Sequence, residues 1–403
     1  MNLPERLPTA HTPRVAARMA YIEPFHVMQI IARAKELEAQ GRSIVNMVVG
    51  EPDFPIAPRV KEAAMRVLET GLLRYTPSLG ILPLREAIAA WYRTRYSLEV
   101  PAARIGVTTG SSGALLLTMG VLLDPGDQVL LADPGYPCNR HFVRAMDGEP
   151  VGVPVGPSTA YQLNAELVDR HWTSRTKAVL VCSPSNPTGT MIAPRALREI
   201  HETVRARGGV LISDEIYHGL TYGESAATAL VYSDDVFVIN SFSKYFGMTG
   251  FRLGWLVAPE RFMFDIDKLV GNLFISAPDI AQQAALAAFH PETVALLEER
   301  RELYRAQRDF LVPALQDLGF DIPVKPEGAF YVYANCHRFT DDAYAFCWDV
   351  LEQAGVAITP GLDFGENDPR HHVRFSYPKP VPVLEEGVRR LKEYLAKRTR
   401  REG

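Results

Sequence analysis

Cysteine is scarce in this 403-residue chain, and what there is does not cluster. Cys138, Cys182, Cys336 and Cys347 are scattered, with no Cys-x-x-Cys pair. That spacing argues against a zinc site and a disulfide framework, and fits a reducing cytoplasm. No uncharged apolar stretch reaches the ~18 residues that mark a membrane span. The N-terminus, Met1-Asn2-Leu3-Pro4-Glu5-Arg6, lacks the apolar core and small-residue cleavage site of a signal peptide. An excess of either charge is missing too. The 43 Lys and Arg against 47 Asp and Glu leave a net charge of -4, which favours neither nucleic acid nor an anionic membrane as partner. A soluble cytoplasmic protein is expected.

Several motifs are also missing. There is no Gly-Lys dipeptide, so Asp214 after an apolar run is not the acid of a Walker site. No Gly-x-Gly-x-x-Gly supports a nicotinamide dehydrogenase. Gly110-Ser111-Ser112-Gly113-Ala114 lacks the last glycine of a nucleophile elbow. There is no His-Glu-x-x-His, and the adjacent His371 and His372 are expected to point apart on a strand, so no metal is expected.

What is present is an alternation of short apolar runs with helical patterns. The length exceeds what one core fills, so two domains are expected. Val129–Leu131, Ala178–Cys182, Val210–Ile212, Val236–Ile239 and Leu253–Val257 read as buried strands. A helix starts at Pro194, carries Leu197, Ile200 and Val204 on one stripe, and ends at Gly208-Gly209; another begins near Ser112. Such alternation predicts an α/β protein with a mostly parallel sheet covered on both faces, and ligands bind such sheets at the strands' carboxyl ends. The ends of the chain predict a smaller α+β domain. It would comprise an amphipathic helix over 22–40, with Phe25, Met28, Ile31, Ala32 and Leu37 inward, a helix from Glu298 to Arg308, a strand from Ala329 to Tyr333, a helix from Asp342 to Gln353, and a last helix from Val383. The first dozen residues, rich in Pro and Thr, are expected to form a mobile arm. The expected division is 1–55 (arm and part of the small domain), 56–290 (large domain) and 291–403 (small domain).

Polar clusters follow the predicted strands. Lys244 lies just past one, and burial there would lower its pKa and leave an amine able to attack a carbonyl. Around it is a set of groups that suits a flat, anionic ring aldehyde containing nitrogen. Ser111, Ser112 and Gly113 at a helix start offer a phosphate site, with Arg252 and Ser241 beside it. Tyr136 offers a stacking face. Asp214 would keep a ring nitrogen protonated, and Asn186 and Tyr217 would bond a phenolic oxygen. Each also has a plain structural reading: a turn at Asn186-Pro187-Thr188-Gly189, a helix cap at Asp214, core at Tyr136, surface ion pairs at Arg252 and Arg374, loop packing at Tyr75.

In family order and nearly end to end, the chain resembles the class I/II aminotransferases of pyridoxal-phosphate fold type I. The matching stretches include Gly50-Glu51-Pro52-Asp53-Phe54, Tyr75-Thr76-Pro77, Thr109 to Ala114, Asp133-Pro134-Gly135-Tyr136, Ser185 to Gly189, Asp214-Glu215-Ile216-Tyr217, Ser241 to Arg252, Gly328-Ala329-Phe330-Tyr331 and Val373 to Tyr377. The resemblance implies a seven-stranded-type sheet and pyridoxal 5'-phosphate as cofactor. Lys244 would hold it as an internal aldimine and then act as general base. Asp214 and Tyr217 would be its catalytic companions, and Ser243 a further cofactor contact. Arg374 would clamp the substrate α-carboxylate, assisted by Asn186 and the backbone at Gly50. Tyr75 would reach the cofactor phosphate of a neighbouring subunit, which implies a homodimer with shared sites.

The implied substrates are an amino acid and a 2-oxo acid. Phe251 stands where relatives often carry Trp, a change read as packing. Tyr136 in place of a stacking Trp weakens a dicarboxylate substrate. Arg18 and Arg140 are the candidate second cations, and the side-chain pocket is expected around Tyr21–Phe25 and Gly361. Carbon–sulfur β-elimination remains an alternative on the same machinery, and a ligand-sensing protein a remoter one, disfavoured because no basic DNA-binding segment precedes Gly50.

Overall fold

The computed structural model describes residues 14–402; the expected arm over the first dozen residues lies outside them. In chain order the helices are α1 (His26–Ala39), α2 (Pro58–Thr70), α3 (Leu82–Tyr96), α4 (Gly110–Leu122), α5 (Pro137–Ala145), α6 (Ala165–His171), α7 (Pro194–Ala206), α8 (Glu260–Leu273), α9 (Asp279–Ala285), α10 (Pro291–Leu318), α11 (Ala343–Asp349) and α12 (Val381–Glu402). The strands are β1 (Val45–Asn46), β2 (Ile105–Thr108), β3 (Gln128–Asp133), β4 (Glu149–Pro154), β5 (Thr176–Cys182), β6 (Val210–Asp214), β7 (Phe237–Ser241), β8 (Gly254–Val257), β9 (Tyr331–Asn335), β10 (Val356–Ala357), β11 (Thr359–Pro360) and β12 (His372–Ser376). Among the described residues no helix is long and apolar enough to cross a membrane.

β2 to β8 form a seven-stranded sheet in the order β2-β8-β7-β6-β5-β3-β4. β8 runs against both neighbours and the other six run together. The α/β, mostly parallel architecture expected from the alternation is therefore present. Strand residues alternate between two faces. Ala178 and Leu180 of β5 join α4 and α8 on one side, while Val179 and Val181 join the core on the other. β2 and β4 were not foreseen. Gly106 interrupts the apolar run of β2, and β4 contains Pro150 and Pro154, which it tolerates because it is an edge strand.

The chain ends meet. β1 pairs in parallel with β10, and the Ser376 N–H donates to Met47 O at 2.8 Å. β9, β11 and β12 form an antiparallel sheet with β12 in the middle. Asp363 accepts from the His26 and Val27 N–H groups at 2.8 and 2.9 Å, so a carboxylate far along the chain caps α1.

Several expected boundaries and faces need correcting. α1 buries Ile30, Ala34 and Leu37, whereas Met28 is 57% exposed and Ala32 is exposed. The buried face carries Ile30, Ala34 and Leu37, nearly opposite Met28 and Ala32 around the helix, which leaves Met28 at the rim of a cavity. α10 runs well past Glu298–Arg308 at both ends, because Pro291 suits its first turn and Pro313 faces solvent. β9 starts at Tyr331 rather than Ala329, since Ala329 is in the left-handed region at φ +55°. Asp342 caps α11 from outside, and the segment Val350–Ala354 continues it as a wider π-type turn. His371 lies in a 3-10 turn before β12, so it does not share a strand with His372.

Candidate active site

Five of the six strands that run together place Thr108, Asp133, Cys182, Asp214 and Ser241 along one rim of the sheet. In register, Cys182 pairs with Asp214 and Asp214 with Ile239. Over this rim lies a cavity of about 270 Å³, closed on its far side by Val48 to Gly50, by β12 and by the start of α1. A larger cleft of about 850 Å³ adjoins it, the two sharing Phe25, Tyr136, Pro137, Cys182 and Asp363.

Lys244 belongs to the turn that joins β7 to β8. That turn is closed by the Phe242 N–H on Leu253 O at 3.0 Å and the Met248 N–H on Phe242 O at 2.9 Å. Phe242 and Phe246 anchor it against Trp255 and Phe289. Lys244 Nζ donates to Gly50 O at 2.7 Å and lies 5.8 Å from the ring centres of Tyr217 and Phe330. Burial, with the positive charge of Arg374 as the next cause, pulls its pKa from the usual 10.5 to about 8.

At one end of the cavity α4 presents its N-terminus. Thr109 is the cap, so Ser111 and Ser112 fall in the first turn, where N–H groups have no helical partner. Both serines line the cavity, as do Ser243, Thr249 and Arg252. Arg252 Nη1 approaches Ser243 Oγ at 3.5 Å and Thr249 O at 3.3 Å. Gly110, at φ +72°, lets the guanidinium in: a Cβ there would stand 2.8 Å from Arg252 Nη2. Gly254 of β8 lies under the same turn, where a Cβ would be 2.7 Å from Ser111 N.

At the other end Asp214, 2% exposed, accepts from the Ile216 N–H at 3.3 Å. Burial raises its pKa to about 7 despite that bond. A carboxylate so desolvated, facing a cavity, calls for a cationic N–H partner. Tyr217 and Tyr331 share a hydroxyl hydrogen bond of 2.8 Å on the wall. Tyr136, immediately before α5, presents its ring to both cavities, and burial raises its phenol well above the usual range.

Arg374 projects from β12. Its Nη1 donates to Asn186 Oδ1 at 2.9 Å and its Nη2 to Val48 O at 2.7 Å and Thr359 Oγ1 at 3.3 Å. The guanidinium carbon lies 4.5 Å from the Tyr331 ring centre and 5.0 Å from that of Phe364. Its Nε is buried and has no protein partner, an unmet donor beside the cavity.

Thus Lys244, Asp214, Tyr217, Asn186, Tyr136, Ser111, Ser112, Ser243, Arg252, Gly50 and Arg374 all come to one cavity. Three other expected residues do not reach its wall. Gly113 follows the first turn of α4 and lies against Thr109. Ser241, 1% exposed, spends its hydroxyl on the Ser243 N–H at 3.0 Å and so supports Ser243 from behind. Tyr75 is 81% exposed on this single chain.

Arg18 pairs with Asp147 at 2.7 Å, while Arg140 lines the larger cleft with Tyr21, Phe25 and Leu362. Sequence reasoning overlooked Tyr331, Cys182, Thr359 and Phe364 as wall residues. Tyr331 lay inside a quoted motif, but Thr359 and Phe364 carry no local signal.

Pyridoxal phosphate fits these donors. Serine hydroxyls, helix N–H groups and Arg252 suit its phosphate, and the desolvated Asp214 suits its ring nitrogen. Tyr136 suits its face, and the Lys244 amine its aldehyde.

The comparisons agree with the site. A family model described as aminotransferase class I and II matches residues 42–391. The chain is 40% identical to a valine–pyruvate aminotransferase of Mycobacterium tuberculosis, over 95% of this chain and 99% of that protein. It is 35% identical to an aspartate/prephenate aminotransferase of Thermus thermophilus, over 95% of this chain and 98% of the other. A crystal structure of an aminotransferase from Mycobacterium tuberculosis superposes with a TM-score of 0.92 at 40% identity, covering 96% of this chain and all of that one.

Proposed function

Since the chain belongs to the class I and II aminotransferases, we propose that it takes the amino group of an L-amino acid with a neutral aliphatic side chain, using pyridoxal phosphate held by Lys244. Transfer between amino acids and 2-oxo acids is the family's reaction, and β-elimination is not favoured, the relatives being aminotransferases. One observation carries the choice of donor. Among the described residues lining the 270 Å³ cavity the cations are Lys244, Arg252 and Arg374. The first is the amine, the second belongs to the anionic end, and the third serves the α-carboxylate. Within this cavity none is left for a second substrate carboxylate, Arg140 lining the adjoining cleft instead, and Phe25, Val27, Met28 and Ile31 make one wall apolar. The name of the valine–pyruvate relative points the same way.

When bound, pyridoxal phosphate supplies a reactive aldehyde and an electron-withdrawing ring. The first-turn N–H groups of α4, Ser243 and Arg252 would hold its anionic end. Asp214 would keep a proton on its ring nitrogen, and Tyr136 would stack on it. Arg374, fixed by Asn186, Val48 and Thr359, orients the substrate carboxylate through a bidentate pair. Lys244, with a pKa of about 8, is neutral in a useful fraction near neutral pH and takes the proton from the substrate Cα. Its bond to Gly50 O fixes the direction from which it does so.

We assign the chain to an arm with part of a small domain (1–55), a large cofactor-binding domain (56–290) and the remaining small domain (291–403). The pairing of β1 with β10 and the capping of α1 by Asp363 support joining the two ends. We also assign it to a homodimer that shares Tyr75 across sites, supported by the exposed Leu72, Leu73 and Tyr75 near exposed Ile275. Four free thiols suit a reducing cytoplasm.

A donor screen against pyruvate tests the assignment. Valine, alanine and leucine should exceed aspartate and glutamate in kcat/KM by roughly tenfold or more. Borohydride reduction of the yellow protein should leave the cofactor's mass on Lys244. Aspartate turning over faster than every aliphatic donor would overturn the donor class; a colourless protein that takes up no cofactor would overturn the site.

A further inference from the structure

Away from the cavity, turns at one end of the β9–β12 ladder, where Asn335 pairs with His372, bring two imidazoles and a carboxylate together. His337 follows β9, Asp341 precedes α11, and His371 precedes β12. Asp341 Oδ1 is 3.1 Å from His337 Nδ1 and 3.4 Å from His371 Nε2, and one ligand atom from each residue lies within 4.8 Å of the others. The two imidazole rings meet edge to face at 4.3 Å. Zinc bonds of about 2.0–2.1 Å in a tetrahedron set neighbouring ligand atoms about 3.3 Å apart, close to the two Asp341–histidine spacings of 3.1 and 3.4 Å.

Asp368 makes this more than a surface cluster. Its Oδ1 lies 2.5 Å from His371 Nδ1, which fixes the ring with Nε2 facing the Asp341 carboxylate at 3.4 Å. A carboxylate behind the far ring nitrogen is the support that metal-ligating histidines commonly have. The turns are fixed without one: the Cys336 N–H donates to His371 O at 2.7 Å, and the His337 N–H to Asn335 Oδ1 at 2.9 Å. With Asp341 84% exposed and His337 62% exposed, an ion has a way in and a water completes its shell. His372 takes no part, since it stacks on Tyr333 at 4.7 Å. The expectation that the chain holds no metal rested on the scattered cysteines, the lack of a His-Glu-x-x-His and the adjacency of His371 and His372; the fold brings His371 beside His337 instead.

We propose that His337, Asp341 and His371 bind one zinc ion per chain, with Asp368 as the positioning residue for His371. The ion ties the β9–α11 turn to the start of β12, the strand that carries Arg374 three residues later. It is separate from the transamination site and takes no part in the reaction.

Equilibrium dialysis of chelator-stripped holoenzyme against zinc chloride, with bound metal counted by mass spectrometry, is the test. The wild type should bind one zinc per chain, and zinc should raise its melting temperature. His337→Ala, His371→Ala and Asp341→Asn should remove the site, and Asp368→Asn should weaken it by about 10- to 100-fold. All four should melt with the wild type in chelator and keep its transamination rate. Should a histidine variant misfold, Asp341→Asn decides alone, because that side chain lies almost wholly in solvent. No zinc bound at free concentrations up to roughly 0.1 mM, or unchanged binding in Asp341→Asn and His337→Ala, overturns the proposal.

Discussion

Burial moves Lys244 and Asp214 in opposite directions, the amine down to about 8 and the carboxyl up to about 7, because it disfavours the charged form of each. Both shifts serve the proposed chemistry. The amine is freed to accept a proton, and the carboxylate is primed to hold a cationic ring nitrogen. For Asp214 the shift also has a stability cost in the cofactor-free protein. Its folded pKa lies above the unfolded value of ~3.9, so the folded chain keeps a proton that the unfolded chain has lost. Stability therefore falls as pH rises between those values, and the full penalty stands above about pH 7.

Asp214→Asn should stabilise the cofactor-free protein by on the order of 1–3 kcal/mol above pH 7 and by nothing below about pH 4. The same change should lower transamination by about 10²–10³-fold. Calorimetry across pH and steady-state rates check the two halves. A variant less stable than wild type at pH 8 would show that Asp214 is satisfied without a partner.

Among elements, α4 shows how a boundary decides a role. The sequence places its start near Ser112, but the helix begins at Gly110. Those two residues move Ser111 and Ser112 into the turn with free N–H groups and put Gly113 beyond it, where the helical i→i−4 pattern takes its N–H. The positive charge of Arg252 and the N-terminal end of α4 would then converge on the proposed phosphate. Gly110→Ala should strain a φ of +72° and push on Arg252 Nη2. Cofactor affinity measured by equilibrium dialysis should fall by roughly tenfold or more, with far-UV circular dichroism unchanged. Unchanged affinity would mean that Arg252 and α4 do not share the phosphate. α1 teaches the converse. Its apolar residues show a helix but not which face is buried, because Met28 and Ile31 line a cavity while Ile30 and Ala34 meet β10 and β11.

At the scale of the whole molecule, the single chain leaves Tyr75 81% exposed beside exposed leucines. The proposed dimer with shared sites would explain both. Sedimentation should give twice the 44.8 kDa chain mass, and Tyr75→Phe should keep that mass while weakening cofactor retention. A fully active monomer would refute the shared site. The strand–helix alternation and the clusters Asp214–Tyr217, Ser185–Gly189 and Ser241–Arg252 made the sheet and most of the site legible, since each depends on neighbours in sequence. The sequence by itself determined which residues are proposed as the amine, the ring-nitrogen acid and the carboxylate clamp. Only the tertiary structure decided that Tyr331 meets Tyr217, that Thr359 and Val48 brace Arg374, and that His337 faces His371. Those pairs are joined by strand register and domain packing, which bring together residues that no local spacing connects.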